Sequence, residues 1–150
     1  MKKSKMDRYI SQLENLFPDI IEGMSFKVVQ ELAELKITLA QFQALSLLAE
    51  KKGCIMSELA RGMSQSFSAT TGIVDRLIRD GLARRERDKK DRRVVRVFIT
   101  SKGKYTVGQF KRYRKEHLIS ILESLKEKDR KTLIQAMGIL SQAIKRQRKR

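Results

Sequence analysis

The stretch from Met56 to Arg96 most constrains the fold, because its apolar period changes from that of a helix to that of a strand at one glycine. Leu59, Ala60 and Met63 give Ser57–Met63 a single apolar stripe, and Ser57 is placed to cap that short helix. Ser64-Gln65-Ser66 breaks it. Ser66 or Ser68 then caps a second helix running to about Asp80, with Ile73, Val74, Leu77 and Ile78 at helical spacing. Gly81 is a left-handed stop, and Leu82 just beyond it packs back on the last turn. Two short helices joined by so short a turn match a helix-turn-helix unit.

Beyond Gly81 the pattern alternates. Ala83 to Arg87 reads as a strand, Asp88-Lys89-Lys90-Asp91-Arg92 as a charged turn, and Arg93 to Ile99 as a second strand. Val95, Val97 and Ile99 fall on one face of it and Arg96 on the other. This is a two-stranded ribbon with a basic tip. A ribbon of this composition is hardly stable alone, so it should lean on the helices. A helix-turn-helix followed directly by a basic hairpin is a winged helix. The tip has the reach and charge to enter a minor groove, whose negative potential attracts arginine. The second helix opens with Ser66, Ser68, Thr70 and Thr71 and later shows Arg76 and Arg79. Small hydroxyl side chains let a helix N-terminus approach phosphates and base edges, and the helix dipole favours an anion there. Capping alone explains any one of these hydroxyls; the cluster together with the wing does not reduce to capping.

In order and spacing, these elements resemble the MarR family of transcription regulators. The resemblance rests on Thr38 to Leu48, Leu59-Ala60, Ser66 to Thr71, Asp75-Arg76-Leu77, Gly81-Leu82, Asp91-Arg92-Arg93, Val97-Phe98-Ile99-Thr100 and Gly103. It covers about half the chain directly. Lys89 departs from the pattern, since many members carry proline there. The resemblance implies a mainly α fold with a small β-hairpin wing, flanked by N- and C-terminal dimerisation helices. It implies one domain over residues 1–150, with the DNA-binding lobe at about 38–100 and helical dimerisation regions at about 7–35 and 101–148. It also implies a homodimer and, in many members, a small aromatic or anionic effector bound between the dimer helices and the DNA-binding lobe. No residue pattern identifies that effector.

Charge narrows the partners independently. The 150 residues carry 34 Lys and Arg against 17 Asp and Glu, a formal net charge of +17 with pI near 10.4. Such an excess calls for a polyanion, either nucleic acid or an anionic membrane surface. No apolar run reaches the roughly 20 residues of a membrane span, and no apolar stretch follows the basic N-terminus. The expectation is a cytoplasmic protein. Cys54 is the sole cysteine, so no internal disulfide forms, and it reads as a small, partly buried filler. The peroxide-sensing branch of the resembled family carries its cysteine in the first helix, where this chain has none. His117 and Cys54 are too few for a zinc site, and no phosphate loop or metalloprotease motif occurs. We expect neither metal nor cofactor, and no enzyme.

The remaining segments read as helices. Ile10, Leu13, Leu16, Phe17, Ile20, Ile21, Met24 and Val28 mark one or two amphipathic helices over residues 7 to about 35, with Pro18 a kink or a restart. Thr38 and Gln41 form a capping box for the next helix, a scaffold for the recognition unit, which Lys51, Lys52 and Gly53 close. Thr100 or Ser101 starts a long helix, with Tyr105, Val107, Phe110 and Tyr113 on a buried face. A break at Glu127-Lys128-Asp129 precedes a last helix with a seam at Leu133, Met137, Leu140 and Ile144. Its last residues, Ile144 to Arg150, form a frayed basic tail that adds non-specific phosphate attraction.

The expected function is therefore sequence-specific binding of double-stranded DNA by a homodimeric regulator, most simply a repressor. Ser66, Ser68, Ala69, Thr70 and Thr71 approach bases or phosphates, and Arg76 grips the backbone or pairs with an acid. Arg92 and Arg93 carry the wing into the minor groove, and Asp91 orients one of them. Two other classes stay open: a sequence-independent architectural DNA-binding protein, and a helical interaction module whose basic surface serves solubility.

Overall fold

The order of elements is α1 (Lys5–Glu34), α2 (Leu39–Glu50), β1 (Cys54–Ile55), α3 (Met56–Gly62), α4 (Phe67–Arg79), β2 (Ala83–Arg87), β3 (Val95–Ile99), α5 (Ser101–Glu123) and α6 (Glu127–Gln147). They are seen in a computed structural model that describes residues 4–51, 53–88 and 90–147. Lys52 at the close of α2, Lys89 at the wing tip and the Arg148-Lys149-Arg150 tail lie outside the described residues, as do residues 1–3. The chain divides into two compact units, residues 1–111 and 112–150.

In the first unit three helices end by the same device. At the end of α4 the Leu82 N–H donates to Leu77 O at 2.8 Å and the Gly81 N–H to Ile78 O at 3.0 Å, with Gly81 at φ +72. The ends of α1 and α3 repeat this pattern with Lys36 (φ 54) and Ser64 (φ 53) in the left-handed position that usually takes glycine. The α3–α4 turn is therefore tight, which fixes the angle of α4. Ser66, one of the two serines expected to cap α4, does so: its Oγ accepts from the Ala69 N–H at 3.1 Å. The capping box at Thr38 and Gln41 is present, at 2.8 and 3.2 Å. Ser57 is not a cap. The residue before α3 is Ile55, already extended in β1, and its N–H is satisfied by the Glu58 carboxylate at 3.2 Å.

The ribbon has a third strand. β1 pairs with β3 (Cys54 opposite Val97), and β3 pairs with β2 from Ala83–Ile99 to Arg87–Val95, giving the order β1-β3-β2. Two residues are too few to register as a strand in sequence, yet they bind the wing to the entry of α3 through backbone hydrogen bonds. Thus the ribbon leans on the helices as its composition demands. Leu45, Leu48, Leu59, Val74, Leu77 and Val97 are fully buried between the helices and the sheet. Each contributes roughly 1.5–3 kcal/mol by burial. Cys54 belongs to this core at 1 % exposure. α1 is one helix that continues through Pro18, which removes a single donor. Val107 and Phe110 of α5 are buried, Phe110 against Phe42 with ring centroids 4.0 Å apart, but Tyr105 is 68 % exposed and leaves the expected aromatic face.

In the second unit the break lies at Ser124-Leu125-Lys126, earlier than expected, and Glu127 and Asp129 form the first turn of α6. Carboxylates are favourable there because they face the positive end of the helix dipole. Arg130 Nε donates to Leu122 O at 2.6 Å and closes the turn. No residue of α6 is buried, so the Leu133, Met137, Leu140 and Ile144 seam lies open.

Candidate nucleic-acid interface

Residues at three- and four-step spacing give α4 two faces. Thr70, Val74 and Leu77 point into the core; Ser68, Ala69, Gly72, Asp75, Arg76 and Arg79 fall on the opposite side. At its N-terminus Ser66 is occupied as the cap, and Ser68 and Ala69 are exposed. Thr71 is half-buried, and its hydroxyl donates to Phe67 O at 2.9 Å. Thr70 does not belong to the interface. It is 0 % exposed and its Oγ1 donates to Ser66 O at 2.8 Å, so it packs the helix against the core. The hydroxyl cluster of the sequence thus splits by helical phase into a cap, a core residue and two groups on or beside the outer face. Two residues here were missed. At Gly72, on this face, an added Cβ would meet nothing within 4 Å, and Phe67, in phase with Val74, opens α4 and is 60 % exposed. Gly72 lies four residues from both Ser68 and Arg76, so its place was readable from the period; the exposure of Phe67 was not.

Arg76 resolves one open alternative. Among the described residues no carboxylate lies within 4.0 Å of it, while the adjacent Asp75 is taken by Arg85 of β2 at 2.7 Å. That ion pair, between residues ten apart in sequence, links the recognition helix to the wing and had no local signal. Both partners are substantially exposed, so its contribution to stability is under about 1 kcal/mol; it fixes direction more than it adds stability.

The wing is organised by Asp88. Its Oδ1 accepts from the N–H groups of Lys90 (2.8 Å) and Asp91 (3.2 Å), its Oδ2 accepts from Arg96 Nε, and its own N–H donates to Val94 O at 2.8 Å. The Arg96 guanidinium and the two backbone donors lower the Asp88 pKa from the usual 3.8 to about 2. Asp91 orients Arg93 through the main chain, accepting the Arg93 N–H at 2.9 Å, and not by pairing with a guanidinium. Arg92 lies in the turn as expected, and Arg93 lies there with it rather than at the start of β3, which begins at Val95. Both are exposed and have no acid partner among the described residues.

This arrangement offers a helix N-terminus with small side chains, a row of exposed polar groups along one helix face, and, on a turn hydrogen-bonded by Asp88 and Asp91, two guanidiniums with no acid partner among the described residues. Such an arrangement has the charge and shape to meet a polyanion. No cluster of three or more metal-ligating side chains occurs among the described residues, and no helix is long and apolar enough to cross a membrane.

Comparisons with known proteins agree with the geometry. The MarR family model matches residues 37–95, which span α2, the helix-turn-helix and the wing. The uncharacterized HTH-type transcriptional regulator YfiV of Bacillus subtilis (strain 168) is 29% identical over 136 residues, covering 89% of this chain and 84% of that protein. A MarR family protein from Bacillus stearothermophilus superposes with TM-score 0.80 at 29% identity, over 93% of this chain and 97% of that one. The S. aureus MepR–DNA complex shares the fold at TM-score 0.75 and 21% identity, over 87% and 98% of the two chains.

Proposed function

We propose that this chain is a transcriptional regulator of the MarR family that binds double-stranded DNA sequence-specifically as a homodimer and acts as a repressor. The observation that carries this reading is the joint placement of the α4 outer face and the unpaired Arg92 and Arg93. With Ser68, Ala69 and Gly72 toward the base edges of a major groove, Arg76 meets the phosphate backbone. The wing then brings Arg92 and Arg93 to the adjacent minor groove. Phosphate contacts set affinity and register, and base contacts set sequence choice. Two recognition helices related by a two-fold axis read half-sites about 34 Å apart. Repression follows from occupancy, because a dimer spread over two helical turns excludes other proteins from that DNA.

Dimerisation is supported by apolar faces that each unit leaves open. α1 exposes Leu13, Phe17, Ile20 and Ile21 along one face, and α6 exposes Leu133, Met137, Leu140 and Ile144 along one face. Contiguous apolar surface of this extent marks an interaction site. Control by a small aromatic or anionic effector belongs to the same proposal. Its support is a pair of buried acceptors, Glu31 Oε1 and Gln109 Oε1, with no donor among the described residues; a phenolic hydroxyl supplies one. A thermal shift with phenolic acids tests this part.

The wing is tested by Arg93→Ala. Losing one phosphate contact flattens the log–log dependence of affinity on salt by about 0.9. An unchanged slope and affinity would remove Arg93 from the interface. The net charge of +17 favours a second reading, a sequence-independent architectural DNA-binding protein, which predicts tight binding without a preferred site.

A further inference from the structure

The apolar side chains of the helix-turn-helix are, with one exception, taken up by the core. Leu59, Val74 and Leu77 are fully buried, and Met56, Ile73 and Ile78 pack against the same cluster. Phe67 is the exception. Among the described residues of α3 and α4 it is the only large apolar side chain that is exposed, at 60 %. It is the first residue of α4, between the cap Ser66 and the exposed Ser68. In phase it continues the inward stripe of Thr70, Val74 and Leu77, but full burial ends at Thr70, and Phe67 lies one turn beyond it. Folding alone does not account for this residue. A ring left largely in solvent adds little by burial, phenylalanine is a mediocre helix former, and Ser66 already supplies the cap.

The place of Phe67 gives it another task. Helical side chains lean toward the N-terminus, so a long side chain at the first position projects past the end of the helix, whatever its phase. A recognition helix meets base edges with its N-terminal residues. Phe67 therefore extends the surface that Ser68 and Ala69 present. What a phenyl ring can meet there is limited. It makes no hydrogen bond, so it neither holds a phosphate nor reads a donor or acceptor. In the major groove adenine, guanine and cytosine present hydrogen-bonding groups, and thymine alone adds an apolar one, its C5 methyl. Apolar wedges that part base steps enter from the minor groove, which is not where α4 lies on the reading above.

We propose that Phe67 is a specificity-determining residue, which selects thymine through its C5 methyl group at one position of each half-site. This rests on the DNA-binding reading above and deepens it. Arg76 supplies affinity for any duplex, whereas Phe67 names a base.

The test starts from a duplex recovered by selection from a random pool. Each thymine of one half-site, together with its symmetry mate, is replaced in turn by deoxyuridine. That removes the methyl group and leaves the pairing and the other groove atoms in place. Affinity is measured at one salt concentration for the parent, Phe67→Ala and Phe67→Leu. One buried methyl group is worth about fourfold in affinity, so removing a symmetric pair costs the parent about tenfold or more at one position. Phe67→Ala binds the thymine duplex more weakly by a similar factor and loses nothing further on the deoxyuridine duplex, because the partner of the methyl group is already gone. Phe67→Leu keeps an apolar contact and keeps the sensitivity to deoxyuridine. Thermal melts establish that both variants fold, as the exposure of Phe67 leads us to expect. A parent that binds the selected duplex with no thymine position sensitive to the loss of its methyl group overturns the proposal. So does a Phe67→Ala protein as sensitive as the parent, which assigns the methyl group to a neighbour such as Ala69. In both cases the DNA-binding reading stands. Recovery of no preferred duplex overturns the sequence-specific reading and the role of Phe67 with it.

Discussion

Gly103→Ala and Gly108→Ala make the same substitution five residues apart on α5, and the packing predicts opposite signs. Helix propensity alone favours alanine at both by about 0.8–1 kcal/mol. At Gly108 a Cβ meets nothing within 4 Å, so that gain is expected nearly whole. At Gly103 a Cβ would lie 2.2 Å from Leu82 O and 2.7 Å from Ile99 Cγ1. The first of these is backbone, and it is held: the Thr100 N–H donates to Leu82 O at 3.1 Å, and Thr100 Oγ1 donates to Gly81 O at 2.7 Å while accepting the Gly103 N–H at 3.1 Å. Relief requires α5 to move off by about 1 Å, which stretches these bonds. Overpacking of this kind costs about 1–3 kcal/mol and each weakened hydrogen bond about 1 kcal/mol, so after the propensity gain the net loss is about 1–3 kcal/mol. The assay is urea denaturation of both variants and the parent at one protein concentration, since dimerisation makes stability concentration-dependent. Gly103→Ala should unfold at distinctly lower urea and Gly108→Ala at equal or higher urea. A Gly103→Ala protein as stable as the parent would refute the docking of α5 onto the end of α4.

Three further outcomes follow from the site. Thr70→Val changes DNA affinity by less than about twofold, under about 0.5 kcal/mol, because Thr70 is core; Arg76→Ala flattens the salt slope by about 0.9. A large loss from Thr70→Val would mean that α4 presents a different face. Asp88 has a folded-state pKa near 2, below the usual 3.8, so its pairing is complete above about pH 4 and is lost as pH falls through about 2. An NMR titration of Arg96 Nε should follow that window in the parent and be flat in Asp88→Asn; a transition near pH 4 to 5 contradicts the Asp88–Arg96 contact. Burial raises the Cys54 pKa and shields its sulfur, so a thiol reagent labels it only when the protein unfolds. Rapid labelling of the native protein contradicts the β1 placement.

What the sequence revealed and what it hid divide by range. Features set within four or five residues were legible: the capping box at Thr38, the stop at Gly81, the strand Ala83–Arg87, and the cap at Ser66. Features set by contacts across the chain were not. β1 is two residues long and exists only because β3 lies beside it. The Asp75–Arg85 pair joins helix to wing, and Gly103 must be glycine because of Leu82, 21 positions away. The hydroxyl cluster shows the boundary most clearly. Composition marked Ser66 to Thr71 as an interface, and only the helical phase, fixed by packing, separates Thr70 from Ser68.

The central claim is that the α4 face and the wing read duplex sequence as a two-fold pair. Selection of bound sequences from a random duplex pool, at physiological salt and with excess competitor DNA, tests it most directly. The account predicts an inverted repeat whose half-sites are centred about one helical turn apart, roughly 34 Å. Tight binding with no recovered motif would contradict it and leave an architectural protein.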